Sequence, residues 1–147
     1  MEAKVLVVEH EPETLGFIQG HLAARGFEAI PARSSEQVMA AIERERLKIV
    51  FVDIDSPDLD GLDLIREIKR LDGTVQVIAL TASSSLVNAV RAFKVGACDY
   101  ILNPSRNPER IDHAVWLCLE KFKWWSDIFQ EVSREKEKAA GSPDRAD

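Results

Sequence analysis

Five short apolar runs alternate with five helical stretches along this 147-residue chain, and few architectures accept that order. The runs span residues 4–8, 27–31, 49–53, 75–80 and 98–102. A short, continuously apolar run suits a strand covered on both faces, as in a parallel sheet. The first, third and fourth runs are the most apolar and fit central strands. The second, FEAIP, alternates and ends in Pro31, which fits an edge. Strict alternation with short connections predicts an α/β fold: a parallel sheet flanked by helices and joined by right-handed crossovers.

The helical stretches carry their own punctuation. The first, about residues 13–25, places Leu15, Ile18 and Leu22 on one face and stops at Gly26, a favoured residue just past a helix end. The second opens with Ser34 and Gln37 at capping-box spacing. The third follows Gly61 and ends near Gly73; the fourth, about residues 84–95, ends at Gly96. Among Ser83, Ser84 and Ser85, a helix cap is the preferred role over a lining of the nearby loop.

The fifth helix, starting after Pro108, is longer than a sheet cover requires. Ile111, Val115, Cys118, Phe122, Trp125, Phe129 and Val132 follow each other at steps of four and three, with Ala114, Leu117, Trp124 and Ile128 beside them. That row is the periodicity of a coiled-coil-like seam, about three heptads long. Two readings stand. Phe122, Trp124, Trp125, Ile128, Phe129 and Val132 fold back onto their own domain, or they bury against a second copy or another partner, the preferred reading, because apolar patches of this size are unusual on monomers. The expected organisation is a domain over residues 1–123, a helical extension over 124–137, and a disordered polar tail over 138–147.

The formal charge of -6 argues against a phosphate-backbone binder, and no basic stripe appears. Cys98 and Cys118 have no metal or redox spacing and are expected to be buried thiols in a reducing compartment. The N-terminus is unlike a signal peptide, and no apolar stretch is long enough to span a membrane, so a cytoplasmic protein is expected.

Chemistry concentrates where the strands end. In an open α/β sheet the crevice at the carboxyl ends of the strands is where ligands bind. The third run, Ile49-Val50-Phe51-Val52, ends on Asp53 before a loop containing Asp55, Ser56, Pro57 and Gly61. Strand one ends in Glu9 and His10, strand four in Thr81, and strand five in Tyr100 to Asn103. Clustered carboxylates and a hydroxyl on one rim are what a magnesium-dependent phosphate site needs.

Four motifs in register, VLVVEHEP, FVDIDSPDLDG, IALTAS and GACDYILNP, resemble the receiver domain of bacterial response regulators over roughly residues 3–123. The resemblance implies a flavodoxin-like, doubly wound five-stranded sheet of order 2-1-3-4-5. It implies Asp53 as phosphoacceptor, attacking the phosphorus of a phosphohistidine on a sensor histidine kinase or phosphotransfer protein, with Mg²⁺ neutralising charge. Glu9, Asp53 and the backbone carbonyl of Asp55 would hold that metal. Thr81 would donate to a phosphoryl oxygen, and Tyr100 would follow it inward, shifting the face of helix four, strand five and helix five. The chain shows no further output domain, so contact with a downstream protein is the expected output, with a homodimer through helix five and no enzymatic activity.

Two positions depart from the family pattern. His10 stands where a second acid is usual, and Asn103 where a lysine is usual. Mg²⁺ prefers oxygen to imidazole, so its binding should weaken or be lost. Asn103 forfeits a charge-assisted contact, while a protonated His10 could take the cationic role beside Glu9 and Asp53. Asp53 is then either phosphorylated slowly or with help, or the pocket is a relic or lock and the domain signals by binding alone. A remote alternative is a haloacid-dehalogenase-like phosphatase with Asp53 as nucleophile and Asp55 as general acid/base, although Pro57 stands where that family has Thr or Val. His21 and His113 are expected to be solvated without partners, Asp58, Asp60 and Asp63 to serve the turn and helix start, and Asp99 to be structural. Trp116 fits core, surface or interface.

Overall fold

The computed structural model describes residues 3–140. Its five strands, β1 (Ala3–Val8), β2 (Phe27–Pro31), β3 (Ile49–Asp53), β4 (Gln76–Thr81) and β5 (Asp99–Leu102), form one parallel sheet of order β2-β1-β3-β4-β5. Helices α1 (Pro12–Ala23), α2 (Ser35–Glu45), α3 (Gly61–Leu71), α4 (Leu86–Lys94) and α5 (Pro108–Ala140) follow the strands in turn. The order of elements, the edge position of β2 and the side-by-side ends of β1 and β3 are as the sequence predicts. The chain divides into two compact units between Ala114 and Val115, inside α5.

In the first unit, strand residues alternate between two apolar layers. Leu6, Val8, Val50, Val52, Val77 and Ala79 pack with Val38 and Ile42 of α2 and Leu64, Ile65 and Ile68 of α3. Between them Val5, Val7, Phe51, Ile78 and Leu80 are fully buried towards the other face, where Ile18 and Leu22 of α1 are buried as well. Burying a side chain of this kind contributes about 1.5–3 kcal/mol, so the sheet holds the strand ends rigidly.

The caps follow the sequence closely. Ser34 Oγ accepts from the Gln37 N–H at 3.1 Å, while the Gln37 side chain accepts from Arg33, one residue before the expected box partner. Asp60 caps α3 by accepting from the Asp63 N–H at 3.0 Å, and Ser85 caps α4 through Asn88. Gly61, the first residue of α3, must lack a side chain: a Cβ there would lie 2.5 Å from the Asp53 carbonyl oxygen and 2.8 Å from Ile54 Cα.

Three expectations are corrected here. His21 is not solvated: it stacks on Phe17, and its Nε2 lies 2.8 Å from Asp112 Oδ1, which Arg25 also contacts. An acid 91 positions away in sequence is invisible to local spacing. His113 is exposed but also engaged. Cys118 is buried, whereas Cys98 is only partly so. Asp99 is structural, held by Arg110 at 2.8 Å.

In the second unit the helix continues to Ala140, beyond the boundary expected at 137, because its run of Glu, Lys and Ala has high helix propensity. The remainder of the expected tail, 141–147, lies outside the described residues. The rings of Phe122 and Trp125 meet at a tilt, with centroids 5.9 Å apart, and Trp124, Phe129 and Val132 are exposed. Trp116 is 55% exposed, which excludes the core. No helix among the described residues is long and apolar enough to cross a membrane.

Candidate functional site

The sheet delivers four chain segments to its carboxyl rim. β3 ends on Asp53, which is 2% exposed, and β1 runs directly into Glu9 and His10. The ligand atoms of Glu9, His10 and Asp53 lie within 4.8 Å of one another. His10 Nδ1 is in direct contact with Asp53 Oδ2, and its backbone N–H also points there at 3.4 Å. Asp53 Oδ1 accepts from the Asp55 N–H at 2.8 Å, so both oxygens are occupied. Glu9 Oε2 accepts from the Glu11 N–H at 3.1 Å and lies 3.4 Å from His10 Nδ1. The outer nitrogen of the imidazole, Nε2, lies 3.7 Å from Glu11 Oε1.

The electrostatics follow from that crowding. Burial, with the neighbouring Asp53, pushes the Glu9 carboxyl up to about 7. The hydrogen bond to Asp53 holds the His10 imidazolium above its ordinary range, with the charges of Asp53, Glu9 and Glu11 adding to it. The protonated imidazole is therefore favoured beside Asp53.

The far side of the rim is built differently. Thr81 Oγ1 donates to Asp55 Oδ2 at 2.8 Å, and the same oxygen accepts from the Ala82 N–H at 2.7 Å. Asp55, given a backbone carbonyl role by the receiver resemblance, thus holds Thr81 with its side chain. The Thr81 hydroxyl has one proton, and it is spent on Asp55. Ser83 N–H donates to Thr81 Oγ1 at 3.0 Å, and the Tyr100 hydroxyl donates to the Ser83 carbonyl at 3.0 Å. Asn103 joins the rim through its backbone N–H, which donates to the Thr81 carbonyl at 2.8 Å. Its φ of 48° is left-handed, a conformation that Asn tolerates better than most residues. Reading Asn103 from sequence only as a missing charge overlooks this backbone role. The links through Asp55, Ser83 and Glu11 were also overlooked; only the Asp-x-Asp spacing at residues 53 and 55 hinted at one of them.

A cleft of about 340 Å³ opens beside the rim, lined by Glu9, His10, Leu15, Arg33, Ser56 and Leu59 among others. It reaches His10 and Glu9, while Asp53 lies behind them.

The sequence matches the family described as response regulator receiver domain over residues 5–115. This chain belongs to the response-regulator receiver family. The nitrogen assimilation regulatory protein NtrX of Azorhizobium caulinodans is 35% identical over 106 residues, covering 71% of this chain and 23% of that protein. The heme response regulator HssR of Staphylococcus aureus is 35% identical over 106 residues, covering 72% of this chain and 47% of that protein. The receiver thus spans less than half the length of these curated relatives. Among solved structures, NtrX from Brucella abortus superposes with a TM-score of 0.75 at 29% identity, covering 97% of this chain and 31% of that one. A CheY-like receiver domain protein from Methanospirillum hungatei gives 0.70 at 26% identity, covering 82% and 99%.

Receiver rims of acidic residues suit Mg²⁺, which demands oxygen donors in octahedral geometry. This rim does not fit that ion well: one of its three converging donors is an imidazole nitrogen, seated against the carboxylate that would ligate first. The phosphatase-like alternative fares no better, since the Asp55 carboxylate it needs for proton transfer is engaged by Thr81 and Ala82.

Proposed function

We propose that this receiver signals by protein–protein contact, with Asp53 in the phosphoacceptor position and a pocket altered at His10 and Asn103. The observation that supports this most is the His10 contact on Asp53 Oδ2. The imidazole seated on Asp53 Oδ2 stands where a phosphoryl group would approach that oxygen, and the other oxygen accepts from the Asp55 N–H. Transfer from a sensor histidine kinase or phosphotransfer protein then requires His10 to leave first. Mg²⁺ binding is weakened or lost for the reason given above, and its ligands in that reading would be Glu9, Asp53 and the Asp55 carbonyl. Thr81 and Tyr100 form the switch, starting from a state in which Thr81 is tied to Asp55.

The output surface in this reading includes α4, where Leu86, Val87, Val90 and Phe93 are exposed on one short helix. A downstream protein covers such a face. In α5, Phe122, Trp124, Trp125, Ile128, Phe129 and Val132 form the seam with a second copy. Trp124 and Phe129 are each 61% exposed, and apolar patches of this kind are unusual on monomers. The match to Brucella abortus NtrX takes in 97% of the chain, which extends the likeness along most of α5.

The test is intact mass after incubation with Mg²⁺ and a small phosphodonor. Little or no phosphoryl adduct is expected. A rapid, near-complete adduct that disappears in Asp53→Asn would overturn the reading of His10 as a block. Truncation after Lys123 tests the seam by sedimentation: self-association should be lost, and its survival would exclude the helix.

A further inference from the structure

The rim that suits Mg²⁺ poorly suits another class of ion. We infer that Glu9, His10 and Asp53 form a site for a borderline divalent transition-metal ion, represented by Zn²⁺, in preference to Mg²⁺. The inference deepens the proposed function and rests on its reading of the pocket as altered but still built.

Donor chemistry comes first. One imidazole nitrogen and two carboxylates converge within 4.8 Å, and nitrogen donors favour Zn²⁺ and its neighbours over Mg²⁺. Three protein ligands with a fourth position open is a common arrangement for Zn²⁺. Spacing agrees: Glu9 Oε2 and His10 Nδ1 are 3.4 Å apart, and bonds of about 2.1 Å to a tetrahedral Zn²⁺ put two ligand atoms roughly 3.4 Å apart. The ion would enter at the contact between His10 Nδ1 and Asp53 Oδ2, separating the two atoms.

The surroundings point the same way and are independent of the three donors. A ligating imidazole usually donates its other N–H to a carboxylate, which fixes the ring and raises its basicity. Here Nε2 faces Glu11 Oε1 at 3.7 Å, a small side-chain adjustment from a hydrogen bond. Each acid is also steered by a backbone N–H: Glu9 by Glu11, and Asp53 Oδ1 by Asp55, which leaves Oδ2 directed at the imidazole. The cleft of about 340 Å³ that exposes His10 and Glu9 gives an ion a route in and leaves room for the fourth ligand.

The experiment is equilibrium dialysis and calorimetry of the full chain with Zn²⁺ and with Mg²⁺, with Co²⁺ as a spectroscopic substitute. One Zn²⁺ per chain is expected, undisplaced by a large excess of Mg²⁺, and Co²⁺ should show the visible bands of a four-coordinate site. His10→Ala and Asp53→Asn should each weaken Zn²⁺ at least roughly tenfold, and Glu11→Gln about tenfold. His10→Gln repeats the test at nearly constant size if His10→Ala disturbs the fold by circular dichroism. Zn²⁺ bound with unchanged affinity in both His10 variants and in Asp53→Asn would place the ion elsewhere, at Cys98, Cys118 or the His21–Asp112 pair, and overturn the inference. Failure of the wild type to bind either ion overturns it too, but leaves the proposed function standing. Mg²⁺ displacing Zn²⁺ from the wild type would sink both.

Discussion

The two sides of the carboxyl rim are built to different rules. On one side Glu9, His10 and Asp53 crowd together, with one carboxyl raised to about 7 and an imidazole pressed on the central acid. On the other, Asp55, Thr81, Ser83 and Tyr100 form a chain of ordinary hydrogen bonds between 2.8 and 3.0 Å. Of the two departures from the receiver pattern, His10 falls on the first side and Asn103 next to the second, where its backbone still bonds to Thr81. In the proposed reading the side that would receive a phosphoryl group is altered, while the hydrogen-bond chain that would pass on its effect is complete. A domain of this kind can keep a defined output surface after its input chemistry has been altered.

The strongest way to break the comparison is to restore the acid. His10→Asp removes the imidazole from Asp53 and supplies the oxygen donor that Mg²⁺ prefers. Adduct formation from a small phosphodonor should rise more than about tenfold over wild type. An unchanged rate would mean that the block lies at Asn103 or elsewhere, and the first side is then not the site of change.

Gly61→Ala strikes the support under Asp53. Its new Cβ would stand 2.5 Å from the Asp53 carbonyl oxygen and 2.8 Å from Ile54 Cα, both backbone atoms that cannot swing aside. A loss of about 2–4 kcal/mol is expected by denaturant titration, the range of a forced backbone shift. A loss below about 0.5 kcal/mol would show that the loop after β3 adapts, and that Asp53 is less firmly placed than the buried strand suggests.

The third measurement is pH, in buffer with a chelator so that no metal intervenes. Glu9 is raised in the folded state from 4.5 to about 7, and His10 is raised above 6.5 by Asp53. In both cases the folded state binds the proton more tightly than the unfolded one. The stability they contribute is present at low pH and is lost as pH rises, from 4.5 to about 7 for Glu9 and from 6.5 upward for His10. Wild type should therefore lose melting temperature between pH 5 and 8 relative to the double variant Glu9→Gln, His10→Gln. Identical slopes would show that neither group is perturbed as described.

How far the sequence carried this argument differs between the two sides. The strands and the caps at Ser34 and Ser85 were readable because period, length and cap chemistry are local, whereas the strand order came with the receiver resemblance. Asp53, Glu9 and His10 were readable as one group because topology alone brings the ends of β1 and β3 together. The tie from Asp55 to Thr81 was not, since it depends on which way a loop side chain turns after β3. The His21–Asp112 pair was missed for a similar reason: no spacing rule links residues 91 apart. The run to Ala140 was under-read because polarity was taken as a sign of disorder, although Glu, Lys and Ala are also good helix formers.

Asp55→Asn gives the smallest effect and the sharpest separation. Asn keeps a carbonyl oxygen for the Thr81 hydroxyl and the Ala82 N–H, so both bonds survive without charge assistance. The backbone N–H that Asp55 offers to Asp53 is untouched. The cost should be about 1 kcal/mol, a shift of a few degrees in Tm. In NMR spectra the amides of Thr81, Ala82 and Ser83 should move, while those of Glu9 and His10 and the imidazole protons stay in place. If the substitution instead shifts His10 as far as it shifts Ala82, the two sides respond as one network. A change at His10 would then be felt at Tyr100 with no phosphoryl group involved, and the apparently intact side would itself be reading the alteration.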